Sequence, residues 1–396
     1  MVELIHTSDW HLGNPFSAFG GSQREALSAA RFEAIERLFT YAREQGVRLV
    51  LCAGDQIDNG ELRDTKVLLR AFGVISSFPE IQVVMIAGNH DPYTPSSVYA
   101  RVAAGSYPKN LMFVERPQVV ELPDHGVRIL AAPLTERHGR VNPIVDLCAG
   151  LGTGDGDRGA SEGGEDTAVI IGLAHGSAAV SERLGGDSDA FPIPPRLAVE
   201  AGLDYLALGD WHSHLSLGER TYYPGTHEPL AFGDDAGSLH VGIEERGTIP
   251  TVKRIGSPIY RWEELNRTLR DENLEEALAE LGQSADGGSS VIRLVYDGFV
   301  SLEGYKRLEE QLTITEGIDF ARFVERMPDI RPSADELRAI ASEGYMKQVV
   351  DKLLLLAEDG DRKADEALLR VYSYFSAASS GRKGGASSAK RQGKSR

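Results

Sequence analysis

The sequence predicts an α/β fold that carries a metal-assisted site at the ends of its strands. Three observations predict it. Apolar strand-like runs alternate with stretches of helical spacing from residue 1 to about 149. Five short polar clusters each follow such a run: Asp9-Trp10-His11, Gly54-Asp55-Gln56-Ile57-Asp58, Gly88-Asn89-His90-Asp91, His175-Gly176 and Gly209-Asp210-Trp211-His212. The clusters carry carboxylates, imidazoles and amides, most of them beside glycines, which is the chemistry of metal ligands on turns. Strand ends are where α/β folds gather functional groups on loops held by a rigid scaffold.

The elements follow in order. Residues 2–5 read as a first strand. Residues 23–45 carry Leu27, Ala30, Ile35, Leu38 and Phe39 at helical spacing, then Gly46 as a stop, then a strand over 49–51. Residues 65–78 repeat the helix before a strand at 83–86. Further strands are expected at 111–114, 119–122 and 127–132. Residues 150–166 are rich in Gly and Asp and read as a surface loop. Strands resume at 169–171 and 205–208, and 238–244 reads as an outer strand closing the core. This places a first domain over residues 1–246.

A small α+β domain is expected over 247–330. It has a strand at 291–296, a helix at 301–312 with Ser301 as N-cap, and a strand at 320–326. Residues 331–377 read as a helical segment. Asp335 and Glu336 open it, and Val349, Val350, Leu353, Leu354 and Leu356 form an apolar face. That face suits its own domain or a partner. Residues 378–396 hold Arg382, Lys383, Lys390, Arg391, Lys394 and Arg396 without an acid and read as a disordered basic tail.

Bulk properties narrow the function. The 396 residues are 41% hydrophobic and 26% charged, as in ordinary globular proteins, and no apolar run approaches the ~20 residues of a membrane span. The start lacks the pattern of a signal peptide. With only Cys52 and Cys148, no disulfide framework is expected, and a reducing cytoplasm is the default. A net charge of −17 argues against broad nucleic-acid affinity through a cationic surface, although bound metals would let an acidic site take phosphate. Arg24, Arg31, Arg63, Arg137 and Arg140 are candidates for lining a DNA path.

The clusters supply ligands for two divalent cations, which in such sites stand about 3.5–4 Å apart and clamp a phosphoryl group. Asp9 and His11 are two apart at a strand end and so face the same side. Asp55, after Gly54, is the candidate bridging carboxylate, with Asp58 supporting its loop. Asn89 offers an amide oxygen. His90 is the candidate proton donor to the leaving alkoxide, with Asp91 to orient its ring. His175, Asp210 and His212 complete the set. His6, His125, His138 and His240 lack such neighbours and read as ordinary histidines.

These clusters, with Ile5-His6-Thr7-Ser8-Asp9-Trp10-His11-Leu12-Gly13 at the start and Tyr222-Tyr223-Pro224-Gly225-Thr226 after the last cluster, resemble the calcineurin-like metallophosphoesterases. Within that superfamily the chain looks like the SbcD-type DNA repair nucleases of the YhaO-like branch over residues 1–245. The resemblance implies a β-sandwich flanked by helices, a small capping domain that binds DNA, and a helical segment that contacts an SbcC-type coiled-coil ATPase. It implies two ions, manganese foremost. Asp9, His11, Asp55 and His212 would surround one, and Asp55, Asn89, His175 and residue 210 the other. His90 would be the acid and a homodimer the assembly. The chain departs from the frequent Gly-His-x-His at the last cluster. Asp210/His212 and His212/His214 are both open as the ligand pair, and the role of His227 is open.

The leading expectation is therefore a DNA nuclease that uses a metal-bound hydroxide. A phosphoesterase of small diesters or phosphoproteins is the alternative. A non-catalytic scaffold of an ATPase complex is the third.

Overall fold

In the computed structural model, the described residues are 1–61, 65–102, 104–152, 167–178, 191–256, 258–286, 289–314, 320–330, 332, 334–341, 343–358, 363–364, 367–368, 370–372 and 374. They divide into two compact units. The first comprises 1–263 with 289–291, and the second 264–288 with 292–396.

The first unit opens with β1 (Val2–Thr7), α1 (Gly21–Gln45), β2 (Leu49–Ala53), α2 (Lys66–Ser76), β3 (Gln82–Ile86), α3 (Val98–Arg101) and β4 (Leu111–Val114). It continues through β5 (Gln118–Leu122), β6 (Val127–Ala132), α4 (Pro143–Gly152), β7 (Val169–His175), α5 (Leu197–Glu200) and β8 (Tyr205–Gly209). It closes with β9 (Leu215–Ser216), β10 (Thr221–Tyr223), β11 (Ser238–Ile243) and β12 (Thr251–Ile255).

Among the described residues these strands make two six-stranded sheets, in the orders β12-β11-β1-β2-β3-β4 and β5-β6-β7-β8-β10-β9. In the first, β1 to β4 run parallel while β11 and β12 add antiparallel on one side. In the second, β6, β7, β8 and β10 run parallel, with β5 and β9 antiparallel at the two edges.

The period of two along each strand assigns the layers. Leu49, Leu51 and Ala53 of β2 meet Val169, Ile171 and Leu173 of β7 in a core between the sheets. Val50 and Cys52 point the other way, onto Phe32, Ile35 and Phe39 of α1 and Leu68 and Phe72 of α2. On the far side, Ile170 and Ala174 pack with Ile144 and Cys148 of α4 and with Leu197 and Ala198 of α5. The result is a helix–sheet–sheet–helix sandwich, the architecture expected. Strands buried on both faces must be apolar throughout, which is why β2 reads Leu-Val-Leu-Cys-Ala.

Two boundaries differ from expectation. Residues 150–152 end α4 instead of opening a loop, because Leu147 and Leu151 continue its apolar stripe onto the core. Residues 153–166 lie outside the described residues. The first unit also runs on past 246, because β12 hydrogen-bonds along β11 from Gly242–Thr251 to Ser238–Ile255. As expected, Gly46 ends α1. It adopts φ 75°, and its N–H donates to Ala42 and Arg43 carbonyls.

The second unit carries β13 (Arg261–Leu269), of which 264–269 belong to it, then α6 (Leu274–Asp286), β14 (Ser290–Val300), α7 (Leu302–Ile314), β15 (Phe320–Arg326), β16 (Asp329–Ile330), α8 (Ala334–Ile340) and α9 (Gly344–Glu358). Its sheet has the order β13-β14-β15, with β16 parallel to β14. Leu274, Ala277 and Leu281 of α6 and Leu308 and Leu312 of α7 pack on Ile292, Leu294 and Tyr296. Ser301 caps α7 by accepting the Gly304 N–H at 3.0 Å. Leu337, Ala341, Val350, Leu368 and Tyr372 form a further cluster, against which Leu302 and Ile330 pack, so the helical segment rests on its own unit. Ser333 and the basic tail lie outside the described residues. Among the described residues no helix is long and apolar enough to cross a membrane.

Candidate metal centre

The carboxyl ends of β1, β2 and β3 from one sheet and of β7 and β8 from the other carry the site. Two turns run side by side there. Asp9 N–H donates to Gly54 O at 3.0 Å, His11 N–H to Asp55 O at 2.9 Å and Leu12 N–H to Gln56 O at 2.9 Å. The turns are strained, since Asp9 (φ 54°), His11 (φ 39°), Asp55 (φ 57°) and Asp210 (φ 114°) all hold positive φ. That conformation turns four polar side chains inward at the tips of apolar strands. Asp9 and His175 are fully buried, and His11 and Asp55 nearly so.

Two overlapping groups of ligand atoms result. Asp9, His11 and His212 form one, and Asp9, Asp55 and His175 the other. His11 Nε2 lies 3.1 Å from His212 Nε2. Asp55 Oδ2 stands between the groups, 3.7 Å from His11 Nε2 and 3.5 Å from His175 Nε2. Asp55 Oδ1 accepts the His90 N–H at 2.9 Å, which fixes the carboxylate. Asn89 Oδ1 is 3.2 Å from His175 Nε2, and Asp210 Oδ1 is 3.8 Å from it. The Asp210 N–H reaches both Asp9 oxygens at 3.2 and 3.3 Å, and the Ser8 hydroxyl donates to Asp9 Oδ2.

Protonation chemistry tests whether cations fit. His175 Nδ1 donates to Ala53 O at 2.8 Å, so its Nε2 lone pair faces the oxygens of Asn89, Asp55 and Asp210. Such a face is stable only with positive charge in it. Burial opposes the imidazolium, yet Asp55 above all, then Asp9 and Asp210, hold the His175 pKa well above its usual value. Burial together with the Asp9 and Asp55 charges pushes Asp210 up to about 6, against the pull of His175. For His11, burial is likewise outweighed, by the Asp58 carboxylate beside its Nδ1 and the charges of Asp55 and Asp9. Buried acceptors that must take up protons are acceptors built for cations, and the residues fit a pair of divalent ions.

Glycines leave the room. A Cβ on Gly54 would strike the His175 ring, one on Gly88 would strike Asp55, and one on Gly209 would strike Ala53 O.

His90 stands at the rim. Its Nδ1 donates to Asp58 O at 3.1 Å, and its ring packs edge-on against His11 with centroids 4.8 Å apart. His90 also joins His11 and Asp58 in a third close group of titratable atoms. Asp91 does not orient it. The Asp91 carboxylate turns inward and accepts from Gly88 N (2.7 Å), Ile57 N (2.9 Å), Asp55 N (3.3 Å) and the Tyr99 hydroxyl (2.6 Å). Asp91 thus braces the turns while the Asp58 carbonyl aims the imidazole. Asp58 Oδ1 accepts from Asn14 Nδ2 at 2.9 Å and lies 3.4 Å from His11 Nδ1.

Of the two open registers, the structure brings Asp210 and His212 into the cluster. His214 instead donates from Nδ1 to Tyr223 O at 3.2 Å. His227 is buried and donates to Arg31 O at 2.8 Å. Arg31 is itself buried, so it lines no DNA path; Arg24, Arg137 and Arg140 are exposed, and Arg63 lies outside the described residues.

Three positioning residues escaped sequence reasoning. Asn142 donates to His175 O at 2.9 Å and caps α4 by accepting the Ile144 N–H at 3.1 Å. Tyr223 donates to Gly176 O at 2.7 Å and accepts the Ala178 N–H at 2.8 Å. Tyr99 holds Asp91. Asn142, an Asn just before a helical run, carries a legible signal, and Tyr223 stands in the Tyr222-Tyr223-Pro224-Gly225-Thr226 motif, which showed its importance without its role.

The fold and the ion-binding cluster define a phosphoesterase of the binuclear kind, and the chain belongs to the calcineurin-like phosphoesterase family, whose profile matches residues 2–214. Among characterised proteins it is similar to the SbcD component of the nuclease SbcCD of Escherichia coli K12, with 26% identity over 302 residues, 65% of this chain and 69% of that protein. The SbcD component of Rhodobacter capsulatus is 28% identical over 279 residues, 58% of this chain and 63% of that protein. That of Bacillus subtilis is 27% identical over 92 residues, 23% of this chain and 22% of that protein.

Proposed function

We propose that the protein is a metal-dependent DNA nuclease of DNA repair that hydrolyses phosphodiesters at this cluster, in the cytoplasm and together with an SbcC-type ATPase. The observation that carries the reading is the cluster of buried Asp9, His11, Asp55 and His175 with half-buried Asn89, Asp210 and His212 and the His90 imidazole at its rim. The similarity to the SbcD component of the SbcCD nucleases supports DNA as the diester.

Asp9, His11 and His212 would hold one ion, Asn89, His175 and Asp210 the other, and Asp55 would reach both. Manganese fits this mixed set of imidazole, carboxylate and amide. Bound there, two divalent ions supply positive charge for the phosphoryl oxygens and acidity for the attacking water. The protein's own part is threefold. Asp55 keeps its geometry through the His90 N–H, and His175 its tautomer through Ala53 O. His90, with Nδ1 held by Asp58, presents Nε2 to the leaving oxygen and gives it a proton. The second unit serves as the capping domain for DNA, and α8 and α9 as the contact for the ATPase. Tyr345 and Leu355 of α9 are both largely exposed. A homodimer completes the reading.

The test is cutting of end-labelled linear duplex DNA with manganese, magnesium or no metal, beside Asp55→Ala. Metal-dependent cutting that Asp55→Ala abolishes is expected. Hydrolysis of small phosphodiesters without any cutting of DNA, even with the ATPase added, would replace this reading by the small-diester one.

A further inference from the structure

We infer that Arg31 is a positioning residue for one half of this centre, the half formed by Asp9, His11 and His212. The inference rests on the reading that the cluster holds two cations. Arg31 lies on the stripe of α1 that carries Leu27 and Ile35, one turn from each, so the helix drives it inside to 1% exposure. A buried guanidinium is commonly matched by a carboxylate. Arg31 is matched by five oxygens, four of them main-chain carbonyls.

Nε donates to Trp10 O at 2.8 Å. Nη1 donates to Glu228 O at 2.7 Å and Pro229 O at 3.1 Å. Nη2 donates to the Thr226 hydroxyl at 3.0 Å and more weakly to Asp9 O at 3.4 Å. The Thr226 hydroxyl passes its own proton to Asp9 O at 2.7 Å or Glu228 O at 2.9 Å. The Thr226 N–H donates to His212 O at 3.0 Å. One planar fork therefore ties the 9–11 turn to the 226–229 turn, which in turn holds the backbone of His212. Asp9 and His11 need such a tie because both sit at positive φ.

The other half has its own anchor, of opposite charge. The Asp91 carboxylate gathers the N–H groups of Asp55, Ile57 and Gly88, while His175 hangs on Ala53 O. The two anchors share no hydrogen-bond partner. The turns they hold do touch, through Asp9 N–H to Gly54 O and His11 N–H to Asp55 O, so loss of the Arg31 fork should loosen the ion at Asp9, His11 and His212 far more than the other, whereas general destabilisation would weaken both alike. Lysine keeps the charge but offers a single ammonium that cannot span these oxygens.

The test is titration of the metal-free protein with Mn2+, free ion being read by electron paramagnetic resonance. Wild-type protein should bind two ions. Arg31→Lys and Thr226→Val should each weaken one of them by about 10–100-fold, the usual effect of losing a partner behind the ligands, and change the other by far less. In a His212→Ala background Arg31→Lys should change nothing further, while in a His175→Ala background it should weaken the ion that remains. Equal weakening of both ions, or of neither, overturns the inference. If Arg31→Lys does not fold, Thr226→Val, which loses only a hydroxyl, decides by the same criterion. Failure of the wild type to bind any ion would instead overturn the two-cation reading, and the inference with it.

Discussion

At the scale of single residues, the roles divide between those written in local sequence and those set by partners far along the chain. Asp9, His11, Asp55 and His175 were legible because a strand end fixes where a side chain points. Asp91 was not, since adjacency to His90 suggested a couple where the fold makes a brace. Arg31 reads as a surface cation until its register with Leu27 and Ile35 is taken into account. Two predictions belong here. His90→Gln should slow cleavage of a diester with a sugar-alkoxide leaving group by ~100–10,000-fold and leave Mn2+ binding intact. The loss should be far smaller with a p-nitrophenolate leaving group, which needs no proton, and equal losses on both substrates would remove His90 from the donor role. Tyr99→Phe takes one donor from the buried Asp91 carboxylate and should cost ~1–3 kcal/mol in urea unfolding.

At the scale of elements, alternation and helical spacing located β1 to β8 and β11 with the helices α1 and α2. They did not reveal α3 to α6 or β9, β10 and β12. β9 and β10 are short, and Thr-Val-Lys-Arg-Ile of β12 shows little apolar content because its burial is partial. Sheet order was also unreadable, because β1 takes its second neighbour from β11, far along the chain. Strand ends make the site sensitive at its glycines. Gly88→Ala would set a methyl against Asp55 and 2.8 Å from His175 Cε1. It should abolish high-affinity Mn2+ binding, as calorimetry would show, and near-normal affinity would mean that the turns yield more easily than their packing suggests.

At the scale of the molecule, buried histidines and bound ions couple stability to solution conditions. His6 donates from Nε2 to Leu208 O at 3.1 Å and accepts from the Tyr205 hydroxyl at 2.9 Å, both partners suiting a neutral ring. Burial lowers its pKa from 6.5 to about 3. The folded pKa lies below the unfolded one, so the contribution is whole above pH 6.5 and is lost as pH falls towards 3. The slope is at most about 1.4 kcal/mol per pH unit. Denaturant melts between pH 7 and 4.5 should show His6→Gln with a shallower pH dependence than wild type. Ions held by ligands that run from Asp9 to His212 across both sheets would favour the folded chain over the unfolded one. Free Mn2+ at 100 times its dissociation constant should therefore add about 2.7 kcal/mol, which EDTA would reverse.

The same arrangement sets a timetable for synthesis. As the chain leaves the ribosome, Asp9, His11, Asp55 and Asn89 emerge well before His175 and His212, and β1 lacks one of its two neighbours until residues 238–243 have appeared. The first half of the sandwich should therefore stay open, with its acidic turns in water, until then. A product ending just before residue 238 would carry all seven candidate ligands, from Asp9 to His212, yet lack the β11 strand that flanks β1, so the centre should form only once β11 has been made.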